Sequence, residues 1–139
     1  MHHLVEKTPA LYNPMYTSTF TFAPGAFDDE FHALDEEIAR TAKSIPGYLG
    51  EESWENPSTG LISNVYYWET LDALQELVKH PVHVAAKERQ ARWLNGYQVV
   101  IAQVIGCYGD GGIPHPLAHK TLTASGHRSP CIRKSRMDR

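Results

Sequence analysis

A chain of 139 residues, 42% hydrophobic and 21% charged, has the length and balance of one globular domain. No apolar run approaches the ~20 residues of a membrane span and Met1-His2-His3-Leu4 does not begin a signal peptide, so the expected compartment is the cytoplasm. The net charge of −3 joins an acidic body to a basic end, and an acidic body argues against nucleic-acid binding by the fold itself.

Residues 1–15 mix His, Pro and Asn without period and read as an irregular lead-in. From residue 16 to 24 the chain alternates, with Tyr16, Ser18, Phe20 and Phe22 on one face and threonines on the other, which predicts a strand ended by Pro24-Gly25. The period then changes. Phe27, Phe31, Leu34 and Ile38 recur at helical spacing behind Asp28-Asp29-Glu30, and Ile45-Pro46-Gly47 stops the helix. Residues 48–55 and 61–68 predict a hairpin around Asn56-Pro57-Ser58-Thr59-Gly60. Thr70 can cap a second helix carrying Leu71, Leu74, Leu77 and Val78, which Pro81 interrupts before a further helical stretch over 82–94. Asn95-Gly96 is expected to end that stretch, and residues 97–108 form a last long strand rich in Val and Ile. Past Gly109-Asp110-Gly111-Gly112 no period remains, and residues 109–139 read as a Pro-, His- and Arg-containing tail that packs little.

The order β-α-β-β-α-β predicts an α+β domain over residues 16–108. It is a ferredoxin-like split βαβ arrangement, with helices on one face of a four-stranded antiparallel sheet. Apolar groups around Val65, Val99 and Ile101 fall on both faces of the strands, so the bare face needs a cover. A second copy supplies one, giving a homodimer of closed-barrel character, and the alternative is a monomer whose bare face the tail covers. Cys107 and Cys131 are too few for a disulfide scaffold and lack zinc-site spacing.

Pro46-Gly47-Tyr48-Leu49-Gly50, Tyr67-Trp68-Glu69-Thr70, Ala73-Leu74 and the run from His80 to Lys87 resemble the antibiotic-biosynthesis monooxygenase superfamily, the dimeric α/β-barrel group. The resemblance spans about residues 16–108. It implies a small-molecule pocket within each subunit, and an activity drawn from a varied set that includes cofactor-free oxygenases, haem-degrading enzymes and quinol oxygenases. Cofactor-free members carry Asn-x-x-x-Trp on the third strand, and Asn64-Val65-Tyr66-Tyr67-Trp68 has that spacing.

The chemistry gives such a pair a use. Oxygenation without metal or flavin needs a substrate that becomes an electron-rich anion, held dry and steadied by fixed neutral donors. The Asn64 amide and the Trp68 indole N–H, on one face of one strand, are donors that do not titrate near neutral pH. Trp68 as core and Asn64 as a strand-edge residue is the other reading. His80 and His83 bracket Pro81. Either imidazole could act as a base or bind haem, or could cap a helix end, and His83 is the better placed for a catalytic role. Tyr66 and Trp54 offer aromatic surface to a flat substrate, and Lys87 could pair with a phenolate or stay in solvent. Aligned on Trp68-Glu69-Thr70, the Trp and His of the haem-degrading branch correspond here to Leu77 and Lys87, so that set is replaced. Two histidines without a nearby carboxylate make an incomplete metal site. The expected function is cofactor-free oxygenation of an electron-rich aromatic, polyketide-like or quinol substrate. The alternatives are a module that holds haem or another planar ligand without turnover, and a structural dimer with a vestigial pocket.

Overall fold

The computed structural model describes residues 14–120, so most of the lead-in and the basic end from residue 121 lie outside the described residues. The elements run β1 (Met15–Pro24), α1 (Asp29–Ser44), β2 (Tyr48–Glu55), β3 (Ile62–Trp68), α2 (Leu71–Lys79), α3 (Pro81–Arg89), a 3-10 turn (Gln90–Arg92) and β4 (Leu94–Val104). The sheet has strand order β2-β3-β1-β4, antiparallel at each junction.

Local chemistry explains the helix boundaries. Asp28 Oδ1 accepts from the Phe31 N–H at 2.9 Å, capping α1, and Asp29 and Glu30 follow in the first turn, where the helix dipole favours negative charge. Thr70 caps α2 through the Ala73 N–H. Pro81 begins a separate helix, because proline at the first helical position gives up an N–H that would be unpaired there. The sequence puts Asn95-Gly96 at the end of a helix, whereas both lie inside β4. Leu94 already pairs with Pro24, Asn95 Nδ2 donates to the Pro24 carbonyl at 3.2 Å, and the strand ends at Val104 rather than near Tyr108.

The core lies between the helices and one sheet face. Trp68 and Leu74 are its largest fully buried side chains, packed with Ala42, Ile45, Ala73 and Leu77. Gly47, at φ +101°, lies so close to α2 that a Cβ there would stand 2.9 Å from that of Ala73. Since Trp68 faces the core, alternation places Tyr66, Asn64 and Ile62 on the helix side. The register adds Tyr16, Ser18, Phe20 and Phe22 from β1.

The other sheet face carries the main departure from expectation. Residues 115–117, read as part of a tail that packs little, lie against β2 and β3. Leu117 is 5% exposed, Pro116 occupies the place a Gly50 Cβ would need, and His115 Nε2 is 3.3 Å from the Tyr67 hydroxyl and 3.4 Å from Glu52 Oε2. The irregular composition hid this, because the packing depends on partners 48 to 66 residues away in the chain. β4 has no such cover: Val99, Val100 and Ile101 are each about half exposed, so both its faces stay open.

Candidate functional site

Two neighbouring rows of side chains cross the helix-side face of the sheet. One runs Ser53, Asn64, Phe20, Val99 and the next Glu51, Tyr66, Ser18, Ile101, each in strand order β2, β3, β1, β4. The floor is therefore polar at the β2 end and apolar at the β4 end, with Asn64 and Tyr66 between. The apolar end continues through Tyr97, 5.7 Å from the Phe20 ring, and at 47% exposed Tyr97 leaves this edge open to solvent.

Asn64 is half-buried, and its Oδ1 accepts from Ser53 Oγ at 2.8 Å. That bond fixes the amide with its NH₂ turned away from Ser53, available to an acceptor on the floor. Trp68 is fully buried and its Nε1 donates to Ser18 Oγ at 3.2 Å, so its one donor is already engaged. Tyr66 stacks on Trp68 at 6.0 Å between centroids, and Tyr48 stands edge-on to both rings. Burial first, then the charges of Glu51 and Asp35, pushes the Tyr66 phenol well above its ordinary range. Tyr66 thus stays a neutral donor.

Trp54 faces the other way: it pairs with Ser63 on the helix-free face and is 62% exposed, so it does not share the floor with Asn64. Its parity relative to Asn64 is set by the hairpin register, which the sequence alone does not fix. His80 closes α2 and opens α3, its Nδ1 accepting from the Val82 N–H at 3.1 Å; it is the helix-capping histidine of the two readings. His83 lies on α3, which packs on α1 and α2, and among the described residues no hydrogen bond or ring contact joins it to Asn64 or Trp68. Its Nδ1 is buried without a partner. Burial first, then the Lys87 charge, lowers its pKa, with the nearby Val78 backbone opposing. Lys87 itself is exposed, and Leu77, at the position where the haem-degrading branch has Trp, is core.

Sequence reasoning missed Glu51, Ser53, Ser18 and Asp35. Glu51 accepts from the Tyr48 hydroxyl at 2.9 Å at the polar end of the floor. Burial, then the Glu51 charge, raises the Asp35 carboxyl, with His32 opposing and Glu36 adding. The alternation of β2 was available as a signal, but the register shift between Tyr48 and Gly50 changes which of its residues face the helices. Among the described residues no group of three or more His, Cys, Asp or Glu could hold a metal ion.

No protein-family model matches the chain. The uncharacterized protein YqjZ of Bacillus subtilis is 31% identical over 105 residues, which cover 75% of this chain and 90% of YqjZ. Among solved structures, an Asn-to-Ala mutant of SnoaB, a cofactor-independent oxygenase from Streptomyces nogalater, superposes with a TM-score of 0.54 at 13% identity, covering 65% of this chain and 92% of that one. A dimeric protein of unknown function and ferredoxin-like fold from Bacteroides fragilis superposes with a TM-score of 0.50 at 20% identity, covering 65% and 96%. At these identities the solved structures speak for the fold alone. With the four-stranded antiparallel sheet and the one-sided helices the chain has a ferredoxin-like α+β fold, and by its relation to YqjZ it belongs to the family of YqjZ.

Proposed function

We propose that the protein is a cofactor-free oxygenase of an electron-rich aromatic, polyketide-like or quinol substrate, acting as a homodimer. The observation that carries this reading is the floor itself. A flat substrate laid on Phe20, Val99 and Ile101 brings an oxygen to the Asn64 amide, whose geometry Ser53 has already set. A donor fixed before reaction needs no reorganisation when charge develops on that oxygen. Tyr66 supplies a second neutral donor beside it. Trp68 serves chiefly by holding Tyr66 in place, its own N–H being bound to Ser18. The neighbouring fold of SnoaB supports the reaction class without naming a substrate.

The test is oxygen uptake with 1,8-dihydroxyanthrone, followed by electrode against buffer autoxidation. The wild-type chain accelerates uptake, and Asn64→Ala lowers the rate about 10²-fold, the usual loss for one such donor. A chain that binds the probe, or shows a Soret band after haem addition and desalting, without any uptake is a planar-ligand module instead. The haem reading has lost ground on the residues, since His80 is committed to a helix cap and Leu77 to the core.

A further inference from the structure

Oxygenation of this kind begins with a proton leaving the substrate, and neither Asn64, Ser53, Ser18 nor Trp68 can take one. His83, the base suggested by the sequence, is on a helix that packs against other helices. The floor nevertheless ends in a carboxylate. Glu51 stands directly opposite Tyr66 on the helix side of the sheet, diagonal to Asn64 across one strand pair, and is exposed enough to meet a ligand. Diagonal neighbours on paired strands are about 7–8 Å apart, a span a fused-ring ligand can bridge with a different atom at each end. The Tyr48 hydroxyl, 2.9 Å from Glu51 Oε1, donates to this carboxylate and leaves its second oxygen uncommitted. Tyr48 is in turn fixed by edge contacts with Tyr66 and Trp68. Glu51, Asp35 and Tyr66 also feel one another, since the Glu51 charge contributes to the upward shift of both neighbours.

We propose that Glu51 is the proton acceptor of this site, taking the acidic C–H hydrogen of a bound enolisable ketone while Asn64 holds the carbonyl oxygen on which the negative charge collects. The inference rests on the pocket reading above and assigns it a base. The substrate's acidic C–H bond breaks, an O–H bond forms on the Glu51 carboxylate, and the electron pair stays on the substrate as its enolate. No electron leaves the substrate in this step, so it runs without oxygen. Tyr48 is a positioning residue: it touches Glu51 rather than the substrate.

The step can be read apart from oxygenation by mixing the full chain with 1,8-dihydroxyanthrone in deuterated buffer under argon. Exchange of the acidic C–H hydrogens for deuterium, followed by mass spectrometry against buffer alone, reports proton transfer, and quenching of tryptophan fluorescence reports binding. The wild-type chain binds the probe and accelerates the exchange at neutral pH. Glu51→Gln, a near-isosteric change at an exposed position, keeps binding within about twofold and lowers the exchange rate at least tenfold. Tyr48→Phe gives an intermediate exchange rate with binding unchanged, a split that a merely structural role would not produce. Exchange by Glu51→Gln as fast as by wild type overturns the assignment, and so does a wild-type chain that binds the probe without accelerating exchange. Failure of the wild-type chain to bind overturns the pocket reading and the base together. Exchange that depends on Glu51 but is followed by no oxygen uptake in air leaves the base standing and removes the oxygenase.

Discussion

Trp68 illustrates how one side chain can complete a motif's spacing and still be, in physical terms, core. It is fully buried, stacks on Tyr66 and satisfies its N–H through Ser18. Trp68→Ala should therefore cost about 3–5 kcal/mol of stability. Trp68→Phe, which deprives the part-buried Ser18 contact of its donor, should cost about 1–3 kcal/mol, both measured by urea unfolding. A variant as stable as wild type would show that the indole is not packed as described. His83 makes a different kind of prediction. Its folded-state pKa lies below the ordinary 6.5, with burial as the main cause, so below that pH the unfolded chain takes up a proton that the folded chain resists. The stability from neutral His83 is fully present above pH 6.5 and is lost as pH falls towards the lowered folded-state value. His83→Gln should flatten this part of the stability profile below about pH 6.5, and an unchanged slope would assign it to other groups.

Among elements, the segment past β4 is the one whose role the structure redefines. Leu117 is buried, His115 Nδ1 accepts from the Leu117 N–H at 3.0 Å, and Glu52 Oε2 accepts from the Tyr67 hydroxyl at 2.6 Å beside His115. Burying one leucine contributes about 1.5–3 kcal/mol, so truncation after Gly112 should lower stability by about 2–3 kcal/mol, and Leu117→Ala should reproduce most of that loss. Gly50→Ala tests the same docking from the sheet side. Its φ of +144° disfavours any other residue, and the added Cβ would stand 2.7 Å from Pro116 Cβ. Thermal unfolding of the three variants checks the idea, and a truncated chain that melts with the full one would return residues 115–117 to a dispensable tail. The sequence could not show this docking. His, Pro and Leu in a run have no period, and their partners Gly50, Glu52 and Tyr67 are brought beneath them only by the hairpin and its register.

At the scale of the whole molecule, the exposed apolar strand β4 decides the most. An 11-residue edge strand with Val99, Val100 and Ile101 each about half exposed is a liability for a lone chain, and a second copy seated on the helix-free face is the proposed remedy. Residues 115–117 already cover the β2–β3 side, which leaves the β1–β4 side for the partner. Sedimentation at micromolar concentration should give a dimer. Val100→Asp, an unpaired charge on that face, should weaken association at least about 100-fold. A wild-type monomer, or a Val100→Asp chain that dimerises as well as wild type, would move the interface elsewhere. None of the described helices is long and apolar enough to cross a membrane.

By itself the sequence determined the elements and their order. Each rests on signals within a few residues: alternation over 16–24, the acidic Asp28-Asp29-Glu30 start, the Thr70 cap, the Asn56-Gly60 turn and the shift of hydrophobic period between strand and helix. It also placed Asn64, Tyr66 and Trp68 on one face, because parity along a single strand needs no tertiary information. Tertiary structure decided everything that depends on what lies across from those residues. Pairing brought Ser53 to Asn64, Glu51 to Tyr66 and Ser18 to Trp68, and the register shift in β2 turned Trp54 to the far side. Helix packing set α3, which carries His83, against α1 and α2. Contacts between residues tens of positions apart are set by register and packing angle, and neither is written in any local pattern.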